Sequence, residues 1–95
     1  MTNPQHSLNS KVALITGGAK RIGAAIATTL HAAGMDLVIH FRRSAAEAQS
    51  LADALNDTRP NSVVLVKGDL EKSEDSAVLA QQTIEAFGRM DALIN

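Results

Sequence analysis

Cysteine and tyrosine are absent from these 95 residues, and aromatic side chains make up only 2% of them. Without cysteine there is no disulfide framework, no thiolate metal site and no thiol nucleophile. With so few rings, the interior has to be built from Ala, Leu, Ile and Val, which suits helices laid on a sheet. An excess of charge of one sign is also missing. Nine Lys and Arg stand against ten Asp and Glu, which gives no general attraction for nucleic acid or an anionic membrane, so any anion site must be local. No apolar run approaches the roughly 20 residues that span a bilayer. The opening MTNPQHSLNS has neither the cationic start nor the apolar stretch of a secretory signal. A cytoplasmic protein with no membrane partner and no nucleic-acid partner is expected. The length allows one small domain with one core.

What is present is an alternation of short β-branched runs with longer Ala-rich segments of helical spacing, the pattern of a parallel sheet with crossover helices. Strands are predicted over 11–16, 36–41, 62–67 and 91–95. The first helix starts near Lys20, carries Ile22, Ile26, Leu30 and Ala33 on one face, and stops at Gly34. The second opens at Ser44, where SAAE, ending at Glu47, reads as a capping box, and Ala48, Leu51, Ala52 and Leu55 form its buried stripe. The third begins after Ser73, with Glu74 and Asp75 against the positive end of its dipole, turns Ala77, Ala80, Ile84 and Phe87 inward, and ends at Gly88. Residues 1–10 read as a poorly ordered tail and 11–95 as the domain.

The stretch TGGAKRIG, Thr16 to Gly23, joins the first strand to the first helix. A strand, a glycine-bearing turn and a helix start bring unpaired backbone amides to one point, where a phosphate can sit. The sequence does not match G-x-G-x-x-G, the general dinucleotide fingerprint. It does not match the triphosphate loop either. Gly18 and Gly23 have that loop's spacing, but Ala24 and Ala25 stand where its lysine and hydroxyl should be. The pattern that does fit is T-G-x-x-x-R-x-G, carried by Thr16, Gly17, Arg21 and Gly23, with Lys20 before the arginine. It resembles the short-chain dehydrogenases/reductases, and with Arg21 in place of the second glycine it is most similar to their pteridine reductase branch. The likeness continues in HFRRSAAEA after the second strand, RPNS before the third and GDL after it, covering 11–95.

The resemblance implies an α/β fold: a Rossmann-type doubly wound parallel sheet with strand order 3-2-1-4, incomplete because only the first half of such a domain is spanned. In a Rossmann site an acid at the end of the second strand, about 20 residues past the glycine turn, takes the 2′-hydroxyl of NAD. This chain has HFRRS there, and Asp36 begins the strand at its wrong end. Arg42, Arg43 and the Ser44 hydroxyl offer hydrogen bonds to a 2′-phosphate, with Lys20 approaching from the first turn, so NADPH is the expected cofactor. The resemblance places Arg43 and Ser44 on that phosphate, with Arg42 at a position that varies, and Phe41 beside them at the strand end. It sets Asp69 against the adenine amino group with Leu70 beside it, and Asn95 on the adenosine side of the cleft. Arg21 would extend toward the pyrophosphate and the substrate, next to Ile22 and Gly23. His40 reads as packed or hydrogen-bonded rather than catalytic, His6 and His31 carry no functional signal, and Arg59 reads as a solvated turn residue.

The family's proton transfer depends on a Tyr-x-x-x-Lys pair. With no tyrosine in the chain, no catalytic residue is assigned here, nor any metal ligand, and the chain alone is expected to be inactive. It reads as part of a longer or split polypeptide, partnered by a complementary C-terminal segment, because the fourth strand would form an apolar edge. The implied function is the cofactor-binding portion of an NADPH-dependent reductase acting on a small pterin or dihydrofolate-like substrate. The family resemblance implies a homo-oligomer, a tetramer. Alternatives are a carbonyl or 3-oxoacyl reductase of the same family, and a non-catalytic module that binds NADPH.

Overall fold

The computed structural model describes residues 9–17, 21–68 and 73–94. In chain order these form β1 (Val12–Thr16), α1 (Arg21–Ala32), β2 (Asp36–Phe41), α2 (Ala45–Thr58), β3 (Val63–Lys67), α3 (Ser73–Phe87) and β4 (Ala92–Ile94). The strands make one parallel sheet in the order β3-β2-β1-β4, the order that the alternation and the family likeness predict. Val12 pairs with Asp36 at one end of the central strands and Thr16 with His40 at the other. The carboxyl ends of β1 and β2 therefore share one rim, and Asp36 lies at the opposite one.

Side chains of a strand alternate between faces, and the core divides accordingly. Ala13, Ile15, Leu37, Ile39 and Val63 pack with Ala27, Ala52 and Leu55 under α1 and α2, while Leu14 and Val38 pack with Leu79 of α3 on the other face. β2 is thus covered on both sides, as its near-continuous apolar run requires. The α2 stripe is as predicted: Ala48, Ala52 and Leu55 are buried and Leu51 half-buried.

The other two helices are rotated from their predicted faces. On α1 the buried residues are Ala27 and His31, with Ile26 and Leu30 packed at the edge; Ile22 is 79% exposed and Ala33 is exposed beyond the helix end. On α3, among the described side chains, Leu79 and Thr83 are buried, Phe87 packs at the edge, Ala80 is half-buried, and Ala77 and Ile84 are exposed. The reason is the same in both. A buried polar side chain costs little once it is hydrogen-bonded, and a reading of apolar spacing alone discounts it. The Thr83 hydroxyl donates to the Leu79 carbonyl at 2.8 Å, and His31 Nε2 lies 2.7 Å from Ser62 Oγ.

That serine belongs to a polar seam between α1, α2 and β3. Its hydroxyl donates to the Arg59 carbonyl, so it accepts from His31. The Asn56 carbonyl oxygen takes the amides of Ser62 and Val63, both at 2.9 Å, and its amide group donates to the Val63 carbonyl at 3.0 Å. Arg59 is not a solvated turn residue. Its guanidinium donates to the carbonyls of His31 and Met35 and lies 3.4 Å from the Asp36 carboxylate, fastening the α1–β2 turn to the end of α2. On the far side, Asp91 fixes the register of β4: its carboxylate accepts the Val12 amide at 2.8 Å and a bidentate pair of bonds from Arg89.

Candidate functional site

β1 lies between β2, reached through α1, and β4, reached by the longer route through α3, so the strand order reverses beside it. In open parallel sheets such a switch point leaves a crevice outside the carboxyl ends of the strands. A cleft of about 850 Å³ opens there. Thr16 and Gly17 form its floor at the end of β1, Arg21, Ile22, Gly23 and Ala24 its wall at the start of α1, and Ser44 and Glu47 the start of α2; Ile94 closes it on the β4 side. The Thr16 hydroxyl donates to the Ile94 carbonyl at 3.2 Å, binding floor to side wall.

Gly17 has φ of +66°, a left-handed conformation that favours glycine, and a Cβ added there would meet nothing within 4 Å. The turn therefore leaves open space above the floor. Gly17 N–H is already used, donating to the His40 carbonyl at 3.0 Å. Among the described residues, the amides left for an anion are those of the first turn of α1, which no intrahelical carbonyl satisfies. That turn contains no acid, and Arg21 stands exposed in it. A cation at the positive end of a helix dipole is unfavourable by itself and becomes favourable when an anion sits between.

Ser44 differs from its sequence reading in a way that bears on the site. It precedes α2, and its carbonyl accepts the Ala48 amide at 2.9 Å, but its side chain makes no capping hydrogen bond. With φ of −87° and ψ of 49°, the backbone departs from the extended geometry that turns a cap hydroxyl toward the helix amides. The predicted capping box is therefore not formed. Ser44 and Glu47 line the cleft instead.

Of the predicted site residues, Gly17, Arg21, Ile22, Gly23 and Ser44 come together around this one cleft. Phe41, Arg42 and Arg43 lie at the carboxyl end of β2, directly before Ser44, with both arginines exposed; they are not part of the lining. Lys20, Asp69, Leu70 and Asn95 lie outside the described residues. Sequence reasoning missed Glu47, Ala24 and Ile94 as lining. Glu47 was legible only as a capping partner, and Ile94 reaches the cleft through strand order, which spacing does not encode.

His40, next to this rim, is buried. Its Nε2 lies 2.7 Å from the Gly68 carbonyl oxygen, and Gly68 N–H donates in turn to the Phe41 carbonyl at 3.1 Å. The ends of β2 and β3 are thereby joined.

A sequence model of the short chain dehydrogenase family matches residues 11–95. The chain belongs to the short-chain dehydrogenase family. Within it, pteridine reductase 1 of Leishmania tarentolae is 41% identical over 92 residues, covering 94% of this chain and 32% of that protein. Versicolorin reductase 1 of Dothistroma septosporum is 35% identical over 86 residues, covering 88% of this chain and 32% of that one. Among solved structures, the FolM alternative dihydrofolate reductase 1 of Brucella canis, complexed with NADP, matches with a TM-score of 0.82 and 33% identity, covering 92% of this chain and 34% of that one. The chain thus spans about a third of the length of these short-chain dehydrogenase relatives. The span matched to the family, 11–95, takes in every element that forms the cleft.

Proposed function

We propose that residues 11–95 hold the adenosine and pyrophosphate end of NADPH in a cytoplasmic, homo-oligomeric reductase whose substrate is a pterin or a dihydrofolate-like compound. The observation that carries this reading is the carboxyl end of β2. Two exposed arginines and an uncapped serine hydroxyl follow the strand there, and the strand's own carboxylate, Asp36, is at the other end, engaged by Arg59. An acid that would take a ribose 2′-hydroxyl is missing from that position, and donors for a 2′-phosphate stand in its place.

The pyrophosphate would sit over Gly17 against the first turn of α1, with Arg21 toward it and Ile22 and Gly23 beside it. Glu47 also lines the cleft and would repel a phosphate placed against it, so the reading sets the 2′-phosphate on the Arg43 side of Ser44, with Phe41 and Arg42 flanking. Lys20 would reach the same phosphate, Asp69 the adenine amino group, and Leu70 and Asn95 the adenosine. NADPH supplies the hydride when bound; the residues here bind and orient it. The similarity to pteridine reductase 1 and to an alternative dihydrofolate reductase complexed with NADP supports both the cofactor and the substrate class. The similarity to versicolorin reductase 1 favours a second reading, the same cofactor site serving a carbonyl substrate. Comparing a dihydropterin with a ketone as acceptor in the complete protein separates the two.

Replacing Arg43 by Ala tests the cofactor assignment. Loss of a charge-assisted bond should weaken NADPH binding about tenfold to a hundredfold and leave NADH within about twofold. Equal losses for both cofactors would overturn it.

A further inference from the structure

Ser44 precedes α2, Glu47 stands in its first turn, and both line the cleft. The capping box that would have turned them onto backbone amides is not formed, and the serine hydroxyl makes no capping bond. Among the described lining residues Glu47 is the sole acid and Arg21 the sole base. Glu47 is exposed, and no ion pair among the described residues takes its carboxylate. The two helix starts that border the cleft therefore differ in sign: that of α1 has Arg21 and no acid, and that of α2 has Glu47. The end of β2 has no carboxylate of its own, yet the fold brings one into the same cleft from the helix that follows.

We infer that Glu47 is a specificity-determining residue of this cleft: its carboxylate favours an adenosine ribose that carries a 2′-hydroxyl over one that carries a 2′-phosphate, so the preference for NADPH over NADH is smaller than the cationic residues alone would give. This rests on the NADPH reading above. A ribose hydroxyl has a proton to donate, and an acid in a switch-point cleft is the group that takes it. An ionised phosphate has only acceptors and negative charge, so a carboxylate on the same wall repels it. Selectivity is a difference between two affinities, and a repulsive group shifts it as surely as an attractive one. The cleft then holds both cofactors, with NADPH ahead.

The test is made in the full polypeptide that carries this sequence, with adenosine 2′,5′-bisphosphate and adenosine 5′-monophosphate as probes. They differ only in the group on the 2′ oxygen, and their shared 5′-phosphate cancels in the ratio of the two affinities. Glu47→Ala, which removes both the charge and the acceptor, should raise the ratio of bisphosphate to monophosphate affinity about fivefold to tenfold over the wild type. Glu47→Gln keeps a neutral acceptor and should raise it about threefold. An unchanged or lowered ratio in the alanine variant would overturn the inference. So would an equal change in both affinities, which is what an acid that merely supports the start of α2 would give. If Glu47→Ala does not fold, the glutamine variant decides by the same ratio. The wild type alone tests the reading beneath: a bisphosphate bound no more tightly than the monophosphate would overturn the NADPH assignment, whatever the variants do to the ratio.

Discussion

His31 illustrates how far a single side chain can be from its local reading. Burial lowers its pKa from the ordinary 6.5, the Arg59 guanidinium adds to that, and Asp36 opposes it. The unfolded chain therefore takes up this proton at a higher pH than the folded one. The stability tied to the neutral ring is complete above about pH 6.5 and is lost progressively as the pH falls below it toward the folded value. Urea midpoints between about pH 7.5 and pH 5 should fall for the wild type and fall less for His31→Gln, which can still donate to Ser62. Identical slopes would show that the ring is not held neutral. Neither His31 nor Arg59 was legible in the sequence, because their partners, Ser62 and the carbonyls of His31 and Met35, lie 24 or more positions away. Ser44 failed for a subtler reason. S-A-A-E has the residue types of a capping box, but the box needs extended backbone at the serine, and residue types do not fix φ and ψ.

At the scale of elements, the strands were the most legible part. β2 runs over the predicted residues, and β1, β3 and β4 agree to within a residue at either end. A short β-branched apolar run bounded by turn residues marks a buried parallel strand such as β2. Helix faces were legible on α2, where Ala48, Ala52 and Leu55 are buried, and only in part on α1 and α3: Ile26, Leu30 and Phe87 pack as predicted, while His31 and Thr83 take core positions and Ile22 and Ile84 face outward. Turn glycines were read correctly as stops, and Gly34 shows why. Its φ is +104°, and an added Cβ would lie 2.0 Å from Asn9 Oδ1 and 3.1 Å from Asn9 Cα. The side-chain oxygen can swing away, but the backbone must shift and the left-handed strain remains. Gly34→Ala should cost about 1–2 kcal/mol in equilibrium unfolding. An unchanged midpoint would mean that the α1–β2 turn relaxes freely.

For the whole molecule, the deciding feature is the edge made by β4. It has three residues, pairs with β1 on one side, and carries Leu93 at 53% exposure, while Val78 and Ile84 are about half exposed on α3. With a net charge of −1, little repulsion opposes contact between copies, and unpaired apolar edges pair with one another. Residues 1–95 taken alone should therefore associate as concentration rises in sedimentation velocity, and Leu93→Lys should reduce that association. A monomeric wild-type chain across the same range would contradict this. The same open architecture leaves the cleft bordered by the end of β1, the starts of α1 and α2, and Ile94 of β4.

The most direct measurement is the affinity of the wild-type full polypeptide for NADPH and for NADH, by calorimetry under one set of conditions. The account predicts that NADPH binds at least about tenfold more tightly, the worth of one charge-assisted contact to the 2′-phosphate. Equal affinities, or tighter binding of NADH, would contradict it.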